Sequence, residues 1–233
     1  MRAIVFDFFG TLTNPGNEES RRSVYDATAQ VLGVPPDDFW LAVTASFTER
    51  ATGALGGTAE SLREMATRCG HTPTDVEVAA AVQVHHSGAQ LLHFPREGSL
   101  EVLATLRDRG FGLGLLSDCS SELCEAWKDT SYAAHFDATI FSWAVGYRKP
   151  DARGFLAVAE GLGVPPSLCW FVGDGGSREL SGAAAVGMTP ILVANSAYPE
   201  YSHYQFDPDA FVPQYVVDDI VAVPGVVGFP TSR

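Results

Sequence analysis

Apolar and polar positions follow two different rhythms along this chain. Ala3–Phe8 is a continuous apolar and β-branched run that closes on Asp7, the pattern of a strand buried on both faces. From about Thr13 to His93 the character changes, and Ser20–Leu32, Asp37–Thr52, Thr58–Cys69 and Asp75–Leu92 read as helices with few strand-like segments between them. Pro35-Pro36, Gly56-Gly57 and Pro73 punctuate this stretch. Asp37, and Thr74 or Asp75, stand where N-caps belong. Strand–helix alternation resumes after Pro95. Ser99–Arg109 is a helix with Leu100, Leu103 and Leu106 on one face, ended by Gly110, and Phe111–Leu116 follows as a strand. Ser120–Trp127, Ala152–Gly161 and Glu179–Val186 are expected helices, while Ala138–Phe141, Cys169–Val172 and Pro190–Val193 are expected strands. Tyr215–Ile220 is placed as a last edge strand, and the aromatic, Pro-containing stretch Tyr198–Phe211 as a surface loop.

Such alternation predicts an α/β fold with a parallel sheet, right-handed crossovers and helices on its faces. The helical stretch reads as an inserted domain. Residues 1–13 and 94–233 then form the core domain, and residues 14–93 the insertion.

Composition narrows the function. An apolar content of 46% with 18% charged residues belongs to a core-forming globular chain. The formal net charge of −13 speaks against nucleic-acid partners and anionic membrane surfaces. No segment approaches the ~18 apolar residues of a membrane span. The N-terminus enters a strand at once, leaving no room for a signal peptide. Cys69, Cys119, Cys124 and Cys169 lack CxxC spacing and a local histidine, so they read as buried free thiols. A cytoplasmic protein acting on a small anionic molecule is the expectation. The pattern does not fix an oligomeric state.

Four polar positions stand where apolar runs end, and in open α/β sheets ligands bind beyond the carboxyl ends of the strands. Asp7 is followed by a turn containing Gly10, well placed for nucleophilic attack. Ser117 closes Leu113–Leu116, where a hydroxyl either holds a ligand oxygen or caps the next helix. Lys149, held by Pro150, can neutralise carboxylates and charge on a transferred group. Asp174 and Glu179 lie in the Gly-rich turn after Trp170–Val172. Three carboxylates near one point repel unless a cation joins them, and hard oxygen ligands favour Mg²⁺.

Together, Asp7-Phe8-Phe9-Gly10-Thr11-Leu12, Leu116-Ser117, Lys149-Pro150-Asp151 and Gly173-Asp174 with Glu179 resemble the four motifs of the haloacid dehalogenase-like hydrolase superfamily, in order. The resemblance implies a Rossmann-like core with a helical cap of the subfamily I type. It also implies that Asp7 is a nucleophile forming an aspartyl intermediate. Mg²⁺ would be held by Asp7, the Phe9 backbone carbonyl and Asp174, with Glu179 reaching it directly or through water. Gly10, Thr11, Ser117 and Lys149 would grip the transferring group.

Phe9 departs from this pattern. Phosphatases of the superfamily usually carry a second Asp there, which protonates the leaving alcohol and then activates water. General acid–base assistance is worth ~10²–10⁴-fold. Either the leaving group needs no proton, or the cap supplies one (Glu18, Asp26, Glu49 and His71 are candidates), or turnover is slow. Three functions follow. The first is an Mg²⁺-dependent phosphohydrolase acting on a small phosphorylated metabolite. The second is a metal-independent 2-haloacid dehalogenase, a branch similar in placing an aromatic Tyr at this position but lacking the Gly-Asp metal motif. The third is a low-activity ligand-binding protein. Arg21, Arg22, Arg50 and Arg63 are basic cap residues available to an anionic substrate.

Overall fold

In a computed structural model, which describes residues 2–228, six parallel strands form one sheet. They are β1 (Ala3–Phe6), β2 (Gly112–Ser117), β3 (Ala138–Phe141), β4 (Cys169–Gly173), β5 (Thr189–Val193) and β6 (Tyr215–Val217), in the order β3-β2-β1-β4-β5-β6. β1 is central because its residues are buried on both faces: Ala3 pairs with Gly112 on one side and Cys169 on the other. The period-2 geometry of a strand sends alternate side chains to opposite faces. Ile4 and Phe6 enter one core with Leu103, Leu106, Leu113, Leu115 and Val172, while Ala3 and Val5 enter a second with Phe155, Val158, Phe171 and Leu180. The helix Ala152–Gly161 lies so close to β2 that a Cβ on Gly114 would sit 2.7 Å from the Val158 side chain.

The chain leaves this sheet at Thr13 and returns at Pro95, two residues joined by an isolated antiparallel bridge. Between them Tyr25, Leu32, Phe39, Val43, Leu62, Met65 and Val78 build a third core of their own, which makes the helical insertion a cap. Its last helix, Asp75–Leu92, begins with a capping box in which Thr74 and Glu77 satisfy each other's backbone N–H groups.

Three expectations need correction. Asp37–Thr52 is not one helix but two, Pro36–Ala45 and Phe47–Ala51, separated by Ser46, whose φ and ψ of −97° and 8° are not helical. Its hydroxyl bonds back to the Val43 carbonyl (3.1 Å), a local competitor of the helix ladder. Asp37 is not an N-cap: Pro35 holds that place with Pro36 at the first helical position, where a missing N–H costs nothing. The stretch Tyr198–Phe211 is not simply a surface loop, because Tyr201 in it is buried. Cys69, Cys119, Cys124 and Cys169 are free thiols, with only Cys119 and Cys169 fully buried. No described helix is long and apolar enough to cross a membrane. Met1 and residues 229–233, included in the expected core domain, lie outside the described residues.

Candidate active site

The carboxyl ends of β1, β2 and β4 meet at one point. The Asp7 N–H donates to the Val172 carbonyl (2.9 Å), extending the β1–β4 pairing by one step, so the side chains of Asp7 and Asp174 emerge side by side. Asp7, Asp174 and Glu179 are buried, and each offers a carboxylate oxygen within 4.8 Å of the others. Lys149 sits between them, its Nζ donating to Asp7 Oδ1 (2.5 Å) and Glu179 Oε2 (2.5 Å). Thr11 Oγ1 donates to the other Asp7 oxygen at 3.2 Å.

Several backbone turns hold this floor. Glu179 Oε1 accepts from the Gly175 N–H (3.0 Å), and Asp174 Oδ1 accepts from the Gly176 N–H (3.0 Å). Asp118, a residue left without a role by the sequence, accepts from the Lys149 backbone N–H (3.0 Å) and from Arg148 Nε (3.1 Å), which fixes where the lysine points. Gly10, at φ +74°, donates its N–H to Thr13 Oγ1 (3.0 Å), and its carbonyl accepts from Asn195 Nδ2 (3.0 Å). A Cβ on Gly10 would lie 1.9 Å from the Tyr201 hydroxyl oxygen, so only glycine fits. Ser117 Oγ is fully buried without a hydrogen-bond partner. A buried hydroxyl left in this state costs ~1–3 kcal/mol unless a ligand oxygen or water completes it.

The electrostatics follow from crowding. Burial pushes the Asp7 carboxyl up to about 6 against the pull of Lys149, with Asp174 adding to the rise. Burial, reinforced by the charge of Asp7, also drives Glu179 well above the usual carboxylate range. Burial alone would lower the Lys149 pKa, but Asp7, Glu179 and Asp118 outweigh it and hold the ammonium above its usual value.

The site opens into a cavity of about 350 Å³ beneath the cap. Phe9 forms part of its wall, packed edge-on against Phe8 (centroids 5.1 Å apart) and beneath the Arg21 guanidinium (5.1 Å from the ring centroid). Among the cap groups named as proton sources, Glu18 lines the cavity. Asp26 is paired with Arg22, Glu49 with Arg68, and His71 stands 3.9 Å from Glu77, so the site does not gather these three. Of the basic cap residues, Arg21 and Arg50 line the cavity, while Arg22 and Arg63 form ion pairs with exposed Asp37 and Asp75.

Besides Asp118, two residues from one later segment went unassigned in the sequence. Tyr201 donates its hydroxyl to the Phe9 carbonyl (3.4 Å) and to the Asp174 carboxylate, and Gln205 Nε2 donates to the Asp174 carbonyl (2.7 Å). Both come from the segment after β5, whose position beyond a strand's carboxyl end was the available signal.

The family model of haloacid dehalogenase-like hydrolases matches residues 1–187. The chain belongs to this family. Among the relatives of this hydrolase, a glyceraldehyde 3-phosphate phosphatase from Methanopyrus kandleri is 29% identical over 154 residues, covering 65% of this chain and 64% of that protein. The chain spans from about two fifths to just under two thirds of the length of such curated relatives. The L-2-haloacid dehalogenase of Xanthobacter autotrophicus shares the fold with a TM-score of 0.66 at 23% identity, over 97% of this chain and 98% of that one. A HAD phosphatase from Thermococcus onnurineus does so with a TM-score of 0.65 at 21% identity, over 98% of both chains.

Proposed function

We propose that this hydrolase is an Mg²⁺-dependent phosphohydrolase acting on a small phosphorylated metabolite, with residues 14–93 closing as a cap over a core of residues 1–13 and 94–233. The observation that carries the reading is the charge balance of the floor. Three buried carboxylates, Asp7, Asp174 and Glu179, face the single ammonium of Lys149, because Arg148 is engaged by Asp118. An anionic substrate entering this pocket meets net negative charge unless a divalent cation is bound. The donor set fits such an ion: Asp7, Asp174 and the Phe9 carbonyl offer the hard oxygens that would hold it, while Lys149 binds Asp7 and Glu179. Bound there, Mg²⁺ would supply charge neutralisation to a phosphoryl group.

The remaining chemistry belongs to the chain. Asp7, oriented by Lys149 and Thr11, attacks phosphorus and becomes an aspartyl phosphate. Ser117, its hydroxyl unpartnered, accepts the role of donor to a phosphoryl oxygen, with Lys149 stabilising charge on the transferred group. Gly10 keeps the loop close enough for its neighbours to reach the substrate. Glu179 holds Lys149 and the Gly175 turn in place, and reaches the ion at most through water.

The aromatic ring of Phe9 favours a second reading, a 2-haloacid dehalogenase, since a halide leaves without a proton. Phosphate-ester and 2-chloropropionate turnover, each with Mg²⁺ and with EDTA, separates the two. Mg²⁺-dependent phosphate release is the expected result. EDTA-insensitive halide release would establish the second reading, and silence on both panels a ligand-binding role.

A further inference from the structure

Phe9 leaves the second half of the proposed reaction without a base, and the cap places a buried carboxylate in the wall of the same cavity. We propose that Glu18, on the short turn Pro15–Ser20, is the base that activates water against the phosphorylated Asp7. This rests on the phosphohydrolase reading and deepens it.

The placement of Glu18 is built by the chain. Asn14 accepts from the Gly16 N–H (2.9 Å) and Pro15 starts the turn, which folds back immediately after the chain leaves β1. Glu18 is buried, only 5% exposed, and lines the same cavity as Asp7. Through Arg21, which grips Glu18 and rests 5.1 Å over the Phe9 ring, Glu18 is tied to the residue two positions beyond Asp7. The other cavity acid outside the catalytic floor, Glu122, follows β2 and accepts from the Ser120 hydroxyl (3.2 Å), whereas Glu18 is tied through Arg21 to the Phe9 ring.

The partner of Glu18 fixes its orientation. Arg21 engages both carboxylate oxygens, Nε to Oε2 at 2.5 Å and the terminal nitrogen to Oε1 at 2.8 Å, while its guanidinium rests on the Phe9 ring. Each Glu18 oxygen accepts one Arg21 N–H and keeps a second lone pair, so it has room to take a proton from water in the second step. It is assigned no part in the first.

In the first step Asp7 bonds to phosphorus and the bond to the leaving oxygen breaks, that oxygen keeping the electron pair. In the second, a water oxygen bonds to phosphorus and the bond from Asp7 to phosphorus breaks, returning its electrons to the carboxylate. The water's proton passes to Glu18 and then to solvent. Substrates whose leaving oxygen is stable as an anion, such as acyl, enol and aryl phosphates, suit this division of labour.

Stopped-flow kinetics of the Mg²⁺-loaded protein with p-nitrophenyl phosphate tests it. Glu18→Gln should lower the steady rate ~10²-fold while leaving a burst of about one nitrophenolate per site, the sign of an accumulating covalent intermediate. Acid-quenched protein should carry one phosphoryl group by mass. Adding Phe9→Asp to Glu18→Gln should restore the rate and remove the burst. Wild-type rate in Glu18→Gln would overturn the proposal, as would a loss without burst or phosphoprotein, or a fall in melting temperature whose activity loss Phe9→Asp fails to rescue. Equal wild-type rates on ethyl and p-nitrophenyl phosphate would overturn it too. A wild type silent on every phosphate substrate would overturn the phosphohydrolase reading and this inference together.

Discussion

The floor and the roof of the cavity are built on opposite plans. The floor is a dense ionic lattice: Asp7, Lys149, Glu179, Asp118 and Arg148 are tied to one another and to backbone N–H groups at 2.5–3.1 Å. The roof is aromatic and apolar, with Phe47, Trp40, Val43 and Tyr25 lining it and its charges already paired or hydrogen-bonded, Arg21 to Glu18 and Arg50 to Tyr25 and Ser120. Interactions aimed at a reacting group must be preorganised before substrate arrives, whereas a roof must part and close. Chemistry should therefore fail when the floor is touched, and affinity should change when the apolar lining of the roof is, with Glu18 the one roof group assigned to chemistry.

The severest break is Asp7→Asn. The amide keeps the shape but not the nucleophile, so turnover should fall to background while far-ultraviolet circular dichroism stays unchanged. An active Asp7→Asn variant would remove the catalytic meaning of the floor.

Phe9→Asp crosses the boundary in the other direction, by adding a floor-type group beneath the roof. It should raise turnover of alkyl phosphates by ~10²-fold, and of p-nitrophenyl phosphate by less, because a poorer leaving group gains more from protonation. Equal or reduced rates on both would mean that the wall, not the missing acid, is what position 9 supplies. Loss of the Arg21 contact on the ring opposes the gain, so rates on both substrates are needed.

The same division explains what was legible in the sequence. The strands were readable because burial on two faces leaves a local, continuous apolar signature, and β3 and the helix Ala152–Gly161 fall where the pattern put them. Asp7, Ser117, Lys149 and Asp174 stood out because each follows such a strand or a rigid turn; Asp7, Lys149 and Asp174 come together with Glu179, while Ser117 is buried at the end of β2 with its hydroxyl unpartnered. Asp118 was ambiguous because a helix cap and a lysine anchor look alike beside Ser117. Tyr201 and Gln205 were missed because their partner is Asp174, which precedes them by many residues. Glu18 could not be ranked against Asp26 or Glu49, since which helix face meets the core depends on how the cap docks.

The hinge where roof meets floor offers a stability test. His93, at the end of the helix Asp75–Leu92, packs against Phe8 and Phe9 with ring centroids 6.1 and 6.0 Å away. Burial lowers its pKa to about 4 from 6.5. Between those two values the unfolded chain takes up a proton that the folded hinge refuses, so stability is full above pH 6.5 and falls as pH drops toward 4. The depression corresponds to ~3 kcal/mol. Urea unfolding at pH 7 and pH 4.5 should show His93→Phe losing less stability over this interval than the wild type; identical losses would place the acid sensitivity elsewhere.

The smallest effect should come from the contact that ties roof to floor. Arg148, held in the floor by Asp118 and by Ser177 (2.8 Å), carries its guanidinium 4.9 Å from the Phe47 ring of the cap and 4.5 Å from Phe206. The two rings are themselves 5.0 Å apart. A partly exposed cation–π contact contributes ~0.5–1 kcal/mol, and its loss from the closed state corresponds to a change of about two- to fivefold in an equilibrium constant. Phe206→Ala should therefore raise KM by a few-fold and leave kcat nearly unchanged, because Phe206 holds the closed cap without touching the ionic lattice. Phe47→Ala should do the same. The double variant should be no worse than the sum of the two, and better if the rings act as one clamp, since either truncation already opens it. A fall in kcat instead of a rise in KM would show that Arg148 transmits roof position to Lys149 through Asp118, and the two plans would then be one machine.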